Sequence, residues 1–418
     1  MRIAIFTLGS RGDVQPYVAL ASYAIKQGHQ AVICTGKTFE KLIIQYGIEF
    51  KEAASDLMAM LETEEGQMIF NHAMRHPIKT KAYLNNVVNP AFRKTLDQFW
   101  ESAKGADVII YHPKAFGAPD MAKALGIPCV SMPPVPITYP IEEFPSLVLS
   151  PTRSLGKKLN KLTYMLMKKA ESASINEVND FRQHTLGLPK RKSGLYTFQI
   201  DEQDIPIIYP ISPSLFDEVK SWEGKVHLPG FFFLETKEQE LVPQLNQFIH
   251  EGTPPIVISF SSMPLKNPTR FQEVVKEALR QTHNRGIILT GNSGIKFEDE
   301  KDIYTIQSAP HTALFPLAKG IIHHGGVGTM AAALKSGKPQ LIIPFNVDQP
   351  FWAHRLYTKG YALKPLKEKD VEVDTLVERI KEMENTQVQE KAKAIKETIE
   401  AENGVKEALN YIESLVGM

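Results

Sequence analysis

A glycine-rich turn near residue 325 has the composition of an anion-binding site. The turn consists of His323, His324, Gly325, Gly326, Val327, Gly328 and Thr329. We expect a helix to begin at about Val327, so that bare backbone N–H groups and the Thr329 hydroxyl face a ligand at its positive end. The pattern is neither a Walker loop, since no Lys-Ser/Thr pair follows the glycines, nor Gly-x-Gly-x-x-Gly. It favours a diphosphate site, with a turn shaped only for packing as the alternative.

A carboxylate and an amide follow the next apolar run. Asp348 and Gln349 stand in "PFNVDQPFW", after a predicted strand end and just before a predicted helix. Ligands bind outside the carboxyl ends of strands in open α/β sheets. An acceptor carboxylate beside an amide that both donates and accepts can hold several hydroxyls of a sugar. A helix cap is the alternative for this pair, but a shared edge with the glycine-rich turn favours a sugar site.

An aspartate follows the first apolar run of the chain. Asp13 lies in "TLGSRGDVQP", after the apolar residues 3–6. Its carboxylate can act as a general base, or it can cap the helix leading into Val14 by accepting backbone N–H bonds. The two roles conflict in part, because such hydrogen bonds lower the pKa of the carboxylate and weaken it as a base. The adhesion tripeptide Arg-Gly-Asp would require an extracellular chain.

Composition and charge exclude several classes of protein. The chain has 418 residues, 43% of them hydrophobic, which favours two or a few domains. Its 48 Lys and Arg balance 47 Asp and Glu, so the net charge of +1 gives no electrostatic footprint for nucleic acid. Cys34 and Cys129 need neither a disulfide framework nor a metal site. With no signal-peptide pattern and no window of ~20 apolar residues, we expect a cytoplasmic protein.

Two stretches of alternating strand and helix patterns must position these residues. In the first, "RIAIF", "QAVICTG", "ADVIIYH" and "IPCVSMP" are typical of short apolar strands, and helical periodicity separates them. The second begins near Ile256 with "PIVISFSS" and continues through "GIILTG", "IYTIQ", "GIIHH" and "QLIIPF". Strands that alternate with helices predict parallel sheets with crossover helices. The expected fold class is therefore α/β, with two doubly wound, Rossmann-like domains.

Domain boundaries are predicted from composition. The segment of residues 207–233 has prolines at 210, 213 and 229 and no sustained periodicity, which suits a linker. We expect the domain boundary between Ser214 and Gly230. The predicted division is a first domain over 1–215, a linker over 216–235, a second domain over 236–395 and C-terminal helices over 396–418.

The ordered motifs of the chain resemble those of a known enzyme family. They are similar to motifs of the nucleotide-sugar-dependent glycosyltransferases that act on sterols and antibiotic aglycones. The segments, in order, are "TLGSRGDVQPYVAL", "HPKAFGAPDMAKALGIP", "YPISPSLF", "VHLPGFFF", "SFSSMP" and "APHTALFPLAKGIIHHGGVGTMAAALKSGKPQLIIPFNVDQPFWAHRL". The match is tight over residues 5–20 and 309–356. The resemblance implies the GT-B fold, in which two Rossmann-like domains face each other across a cleft and the terminal helix crosses back to the first domain.

The resemblance also implies a role for each candidate residue. Asp13 would be the general base for the acceptor hydroxyl, His324 and the amides of 325–329 the diphosphate site, and Asp348 and Gln349 the partners of the sugar hydroxyls. The other candidates for nucleotide-sugar binding are Ser10, Arg11, Ser262, Ser308, Ala309, Gly325, Gly326, Val327, Gly328 and Thr329. The candidates for acceptor binding are His112, Met132 and Pro134.

The chain departs from this family at the donor site. The turn around Ser262 is Ser-Phe-Ser-Ser-Met where the family has Gly-Phe-Gly-Ser-Met. Plant relatives place a tryptophan under the uracil and a ribose-binding glutamate at positions that here hold Ser308 and Ala332. Base and ribose must therefore be recognised by other groups, and both uridine and thymidine stay open as the nucleoside.

Together, these patterns predict an inverting glycosyltransferase that moves a sugar, glucose in first place, from a uridine-diphosphate (UDP) sugar to a hydroxyl of a lipophilic aglycone such as a sterol, terpenoid, polyketide or flavonoid. No Asp-x-Asp occurs in the chain, so we expect no metal and no cofactor besides the donor co-substrate. The alternatives are a nucleotide-sugar epimerase on the same fold and a non-catalytic nucleotide-sugar-binding protein. A monomer or weak dimer is expected.

Two further segments bear on the acceptor. The Pro-rich "SMPPVPITYP" at a strand end could line the acceptor pocket or simply connect elements. The stretch "RSLGKKLNKLTYMLMKKAES", residues 153–172, is basic and amphipathic. It could lie on a membrane that holds a lipidic acceptor, or it could pack its Leu and Met side chains inward and leave its lysines in water.

Overall fold

The structure is a computed structural model that describes residues 1–53, 82–147, 149, 151–171, 175–191, 198–235, 241–260, 264–295, 301–346 and 348–417. The strands of its first half are β1 (Arg2–Phe6), β2 (Gln30–Thr35), β3 (Glu49–Glu52), β4 (Val108–Tyr111), β5 (Cys129–Ser131), β6 (Gln199–Ile200), β7 (Gln203–Asp204), β8 (Ile207–Ile208) and β9 (Val226–His227). A parallel sheet has the order β3-β2-β1-β4-β5-β8-β9, and β6 and β7 form a separate antiparallel pair.

A second parallel sheet follows. Its strands are β10 (Ile256–Ser259), β11 (Gly286–Leu289), β12 (Ile303–Ile306), β13 (Gly320–His323) and β14 (Gln340–Ile342). They lie in the order β12-β11-β10-β13-β14. In each sheet the strand order reverses direction beside the first strand, between β1 and β4 and between β10 and β13. Ligands bind at such switch points, at the carboxyl ends of the strands.

Helices connect the strands. In the first half they are α1 (Arg11–Lys26), α2 (Glu40–Ile44), α3 (Asn89–Ala103), α4 (Ala118–Leu125), α5 (Lys157–Glu171) and α6 (Ile175–His184). In the second half they are α7 (Pro243–His250), α8 (Pro268–Gln281), α9 (His311–Leu314), α10 (Val327–Ser336), α11 (Gln349–Lys359), α12 (Val373–Glu382), α13 (Thr386–Ala401) and α14 (Gly404–Val416). No helix among the described residues is both long and apolar enough to cross a bilayer.

Both faces of the first sheet are buried at its central strands β1, β2 and β4, which explains why these strands are apolar throughout. Successive side chains of a strand point to opposite faces. Ile3 and Ile5 pack in one hydrophobic cluster with residues of α1, whereas Ala4 and Phe6 pack in another with residues of α3. The ring of Phe6 stacks on Phe99 with centroids 4.7 Å apart. This packing fixes the end of β1, from which the Asp13 turn begins.

The C-terminal helix crosses back to the first sheet. Leu409 and Ile412 of α14 belong to the same cluster as Ile3 and Ile5, although the preceding helix α13 packs against α10 of the second sheet. Glu413 lies 2.8 Å from Nε2 of His29, which directly precedes β2. The family resemblance implies this return, which the structure confirms.

The segment predicted as the linker is well packed. It contains β9, which extends the first sheet, and the fully buried Trp222, whose ring lies 4.9 Å from that of Phe216. The predicted division at residue 395 falls within α13. The exact domain limits stay predictions.

Candidate active site

Asp13 lies in the first turn of α1, immediately after the end of β1. Its Oδ2 accepts hydrogen bonds from the backbone N–H of Ser10 at 2.7 Å and from the Ser10 hydroxyl at 3.0 Å. The carboxylate therefore satisfies a backbone donor that the helix leaves free, as an acid at the third helical position can. Gly9 has φ of +135°, and a Cβ there would collide with the Asp13 carboxylate. Glycine at this position thus permits the arrangement.

The other oxygen of Asp13 contacts His112. This histidine follows β4, the neighbour of β1 at the switch point, and its Nε2 lies 3.0 Å from Asp13 Oδ1. The backbone N–H of Lys114 donates to His112 Nδ1 at 3.0 Å, so the proton of the neutral ring resides on Nε2 and is donated to Asp13. Burial lowers the pKa of His112 despite the adjacent carboxylate. The structure shows a contact of His112 with Asp13, and the acceptor-binding role of His112 stays a prediction.

Asp13 is held as a carboxylate. Burial alone would raise its pKa, but the hydrogen bond from His112, the Lys114 ammonium at 3.3 Å and the Ser10 N–H hold the pKa well below its usual range. The carboxylate remains partly accessible, with 17% of its side chain exposed, whereas His112 is 4% exposed. A molecule in the cleft can therefore reach Asp13 and not the ring behind it.

Hydrogen bonds of the buried His323 hold the glycine-rich turn in place. Its Nδ1 accepts the Gly325 N–H at 3.1 Å, and its Nε2 lies 2.8 Å from Gln340 Oε1 of β14. Burial lowers the pKa of His323 to about 3, so the ring stays neutral. Gly325 has φ of +88°, and a Cβ there would lie 2.7 Å from Ile342. His323 and Gly325 thus fix the direction in which α10 begins.

The start of α10 has the properties expected of an anion site. Its N-cap residue, Gly326, makes no side-chain capping bond, so the first N–H groups of the helix lack such a partner. His324 is 7% exposed, and its Nδ1 has no hydrogen-bond partner among the described residues. A Cβ added at Gly328 would meet no described atom within 4 Å. Uncapped N–H groups, a ring nitrogen without a partner and an approach free of side chains fit a phosphate group.

His311, which was not predicted from the sequence, completes this edge of the second sheet. It begins α9, its Nε2 lies 3.2 Å from the Ser259 hydroxyl at the end of β10, and its ring stacks on Phe315. Burial lowers the pKa of His311 to about 4, and the charges of His324 and Arg11 act in the same direction. Arg11 belongs to α1, so the two sheets face each other here. The position of His311 shortly after the predicted strand β12 is the sequence feature that could have identified it.

Asp348 and Gln349 are anchored differently from the prediction. Asp348 precedes α11 but does not cap it through its side chain; its Oδ2 accepts the Trp352 indole N–H at 2.8 Å. Gln349 Oε1 accepts the Phe345 N–H at 2.8 Å, so the oxygen of the amide is already engaged. Only its amide nitrogen is left to serve as the predicted sugar contact.

The charge of Asp13 also acts on Asp348. Burial raises the pKa of Asp348, the Trp352 hydrogen bond opposes this rise, and the negative charge of Asp13 adds to it. The carboxylate that follows β1 is thus close enough to the one that follows β14 to raise its pKa.

The remaining predicted residues lie in several places. Ser10 and Arg11 are exposed beside Asp13, and Ser308 and Ala309 lie between β12 and α9. Ser262 lies outside the described residues. Met132 is fully buried in the core of the first sheet, where its carbonyl accepts the Tyr17 hydroxyl, and Pro134 is also buried. The geometry does not support side-chain contact between Met132 and an acceptor.

Comparisons with known proteins agree with this architecture. Residues 3–126 match the glycosyltransferase family 28 N-terminal domain, and residues 298–415 match the erythromycin biosynthesis protein CIII-like C-terminal domain. The chain is 31% identical to sterol 3-beta-glucosyltransferase UGT80A2 of Arabidopsis thaliana, over 97% of this chain and 64% of that protein. It is 30% identical to sterol 3-beta-glucosyltransferase UGT80B1 of the same plant, over 98% and 67%. The chain therefore belongs to the glycosyltransferase family of these two plant proteins.

The fold of this glycosyltransferase is shared with a solved structure. The structure of the glycotransferase of kitacinnamycin superimposes with a TM-score of 0.73 at 18% identity, over 99% of both chains. The predicted GT-B fold, with two parallel α/β sheets and a returning terminal helix, is confirmed. The chain spans about two thirds of the length of the two plant relatives.

No group of three His, Cys, Asp or Glu side chains within the described part of the chain is arranged to hold a metal ion. The absence of a metal requirement stays a prediction.

Proposed function

We propose that the chain is an inverting glycosyltransferase that moves glucose from a UDP-sugar to a hydroxyl of a lipophilic aglycone. The observation that carries this proposal is that the charge of Asp13, after β1 of the first sheet, acts on Asp348, after β14 of the second sheet. The strand beside β14 is β13, which leads into the uncapped start of α10. The names of the plant relatives, sterol 3-beta-glucosyltransferases, support a sterol or a similar polycyclic alcohol as the acceptor.

The start of α10 would hold the donor diphosphate. Its first N–H groups and the His324 ring would donate to the phosphate oxygens, and the helix dipole would stabilise the negative charge that develops on the leaving nucleoside diphosphate. Gly328 would let the phosphate approach the backbone. In the proposed mechanism this arrangement would supply the charge stabilisation that a bound cation supplies in other transferases.

Asp13 would accept the proton of the attacking hydroxyl. A carboxylate with a low pKa is a weak base toward a free alcohol. As the new C–O bond forms, however, the hydroxyl oxygen acquires positive character and becomes acidic, so transfer of its proton to Asp13 becomes favourable. His112 would orient the carboxylate and keep it ionised.

Inversion follows from the placement of these groups. The base belongs to the first sheet and the diphosphate site to the second, so the nucleophile and the leaving group would lie on opposite sides of the anomeric carbon. An α-linked donor would give a β-linked product. Asp348 and the amide nitrogen of Gln349 would hold sugar hydroxyls between them.

Product analysis tests the proposal. The chain is incubated with UDP-glucose, alone and with a panel of sterols and other hydroxylated aglycones, and the products are identified by mass spectrometry and NMR. A β-glucoside that appears only with an acceptor is the expected result. An epimerised nucleotide sugar without acceptor would indicate an epimerase, and binding without any product would indicate a non-catalytic binding protein. A parallel incubation with thymidine-diphosphate glucose shows whether the donor nucleoside is uridine or thymidine.

A further inference from the structure

Helix α5 and the residues before it present apolar side chains to solvent. Leu155, Leu159, Leu162 and Met165 are between 42% and 58% exposed, and Leu149 is 50% exposed. Among the described residues, five of the nine exposed large apolar side chains fall between positions 149 and 165. Single exposed leucines are ordinary, but a group of them marks an interaction surface. These five residues are called the apolar stripe below.

Polar side chains fix the orientation of α5. Asn160 and Thr163 are buried: Asn160 Nδ2 donates to the Glu142 carbonyl at 2.8 Å, and the Ser146 N–H donates to Thr163 Oγ1 at 2.7 Å. Turning the leucines inward would break these bonds and bury lysines. The interpretation that this helix packs its Leu and Met side chains inward is therefore wrong for residues 155–165.

The charged residues of positions 151–170 all carry one sign. Lys157, Lys158 and Lys161 are exposed on the same helix, and the sequence has no Asp or Glu between residues 151 and 170. Leucines flanked by lysines match the two layers of a bilayer surface, since the apolar side chains enter the acyl boundary and the ammonium groups contact anionic headgroups. An acidic protein partner would satisfy the lysines but would not require a row of half-exposed leucines.

The segment that anchors α5 also contacts the helix that begins at the candidate sugar site. The segment that anchors α5 includes Phe144, whose ring lies 5.1 Å from Phe351 in the first turn of α11. That helix begins at Gln349 and follows Asp348, the candidate sugar contacts. The segment that anchors α5 therefore packs against the helix that begins at the candidate sugar contacts.

We infer that the apolar stripe and its lysines dock the protein on an anionic lipid bilayer, so that a lipophilic acceptor passes from the bilayer to the cleft. The docking step stands on the surface alone, whereas the delivery of an acceptor rests on the proposed function. The two parts are tested by separate measurements.

Docking is measured by co-flotation of the full chain with vesicles, in the absence of donor and acceptor. We expect binding to vesicles of phosphatidylcholine mixed with phosphatidylglycerol, and weaker binding to pure phosphatidylcholine or at high salt. Leu159→Gln combined with Leu162→Gln should weaken binding about tenfold or more, because two half-exposed leucines no longer enter the bilayer. Ile44→Gln is the matched control. Ile44 is 54% exposed in α2, which packs against β3, the edge strand at the other end of the first sheet from β9.

Equal vesicle binding by the wild type, the double variant and the control would overturn the docking surface, as would binding that is indifferent to anionic lipid. Loss of a dimer in the double variant, seen by analytical ultracentrifugation without lipid, would assign the stripe to a second copy and contradict the proposal. With docking established, transfer to a vesicle-embedded acceptor should fall in the double variant while transfer to a water-soluble acceptor stays unchanged. Equal loss of both would place the stripe in the acceptor pocket and contradict delivery from the bilayer.

Discussion

His112 donates its Nε2 proton to Oδ1 of Asp13 across 3.0 Å, with its tautomer fixed by the Lys114 backbone N–H. The two residues are 99 positions apart and meet only because β1 and β4 are adjacent in the sheet. The ring is buried behind the carboxylate and has no nitrogen left to accept a proton. Asp13 is therefore the group that can take a proton from a molecule in the cleft, and His112 acts through it.

The pH profile of transfer should reveal this relationship. His112→Phe keeps a ring but removes the donor, so the pKa of Asp13 rises from its depressed value, and Asp13 is protonated at a higher pH. The acid limb of kcat/KM should consequently shift upward in pH. His112→Gln, whose amide can donate to Asp13, should shift it less. Identical acid limbs in both variants and the wild type would show that His112 does not tune Asp13.

Gly328→Ala should separate folding from donor binding. An added Cβ meets no described atom within 4 Å, and the backbone is helical, so stability should stay equal or rise by about 0.4–1 kcal/mol. The methyl group would stand where the diphosphate is proposed to approach, so the Kd for UDP should rise. Thermal melting and isothermal calorimetry measure the two effects. Undiminished UDP affinity would contradict a diphosphate at this turn.

Gln349 offers a comparison between two substitutions. Gln349→Glu keeps an oxygen for the Phe345 N–H but loses the amide donor, whereas Gln349→Ala loses both. We expect the Glu variant to bind UDP and melt nearly as the wild type does, yet to lose transfer. The Ala variant should also lose stability, because a partly buried backbone N–H is left unpaired, at a cost of up to about 1–3 kcal/mol. Wild-type transfer rates in the Glu variant would remove Gln349 from the sugar site.

Most of the fold could be predicted because the strands of a buried parallel sheet form recognisable apolar runs in the sequence. Strands covered on both faces must be apolar throughout, so runs such as residues 3–6 and 320–322 are visible without a structure. The position of the glycine-rich turn was predictable for a similar reason, since φ of +88° at Gly325 requires glycine.

What could not be predicted depends on contacts between distant residues. The pairing of His112 with Asp13 follows from strand order, and the use of Gln349 Oε1 follows from the path of residues 344–346. The face that α5 turns to solvent is set by its hydrogen bonds to Glu142 and Ser146, and the spacing of apolar residues in the sequence does not reveal these bonds. Met132 was placed in the acceptor pocket because it ends a strand, but alternation directs its side chain into the core.

Substitution of Asp13 by asparagine alone does not isolate its chemistry. Both oxygens of Asp13 accept hydrogen bonds, from His112 on one side and from Ser10 on the other. An amide offers one acceptor oxygen, so Asp13→Asn leaves a donor facing a donor and costs stability as well as a base. A lower rate on an alcohol would therefore fit both a catalytic and a structural role.

The most direct test compares two acceptors in the Asp13→Asn variant. One acceptor is an unactivated alcohol, and the other is a phenol acidic enough to be ionised at the assay pH, which needs no base. If Asp13 takes the proton, kcat/KM should fall ~10²–10⁴-fold for the alcohol and stay near the wild-type value for the phenolate, with UDP binding retained. An equal fall for both acceptors would show that Asp13 only supports the turn and would contradict its role as the base.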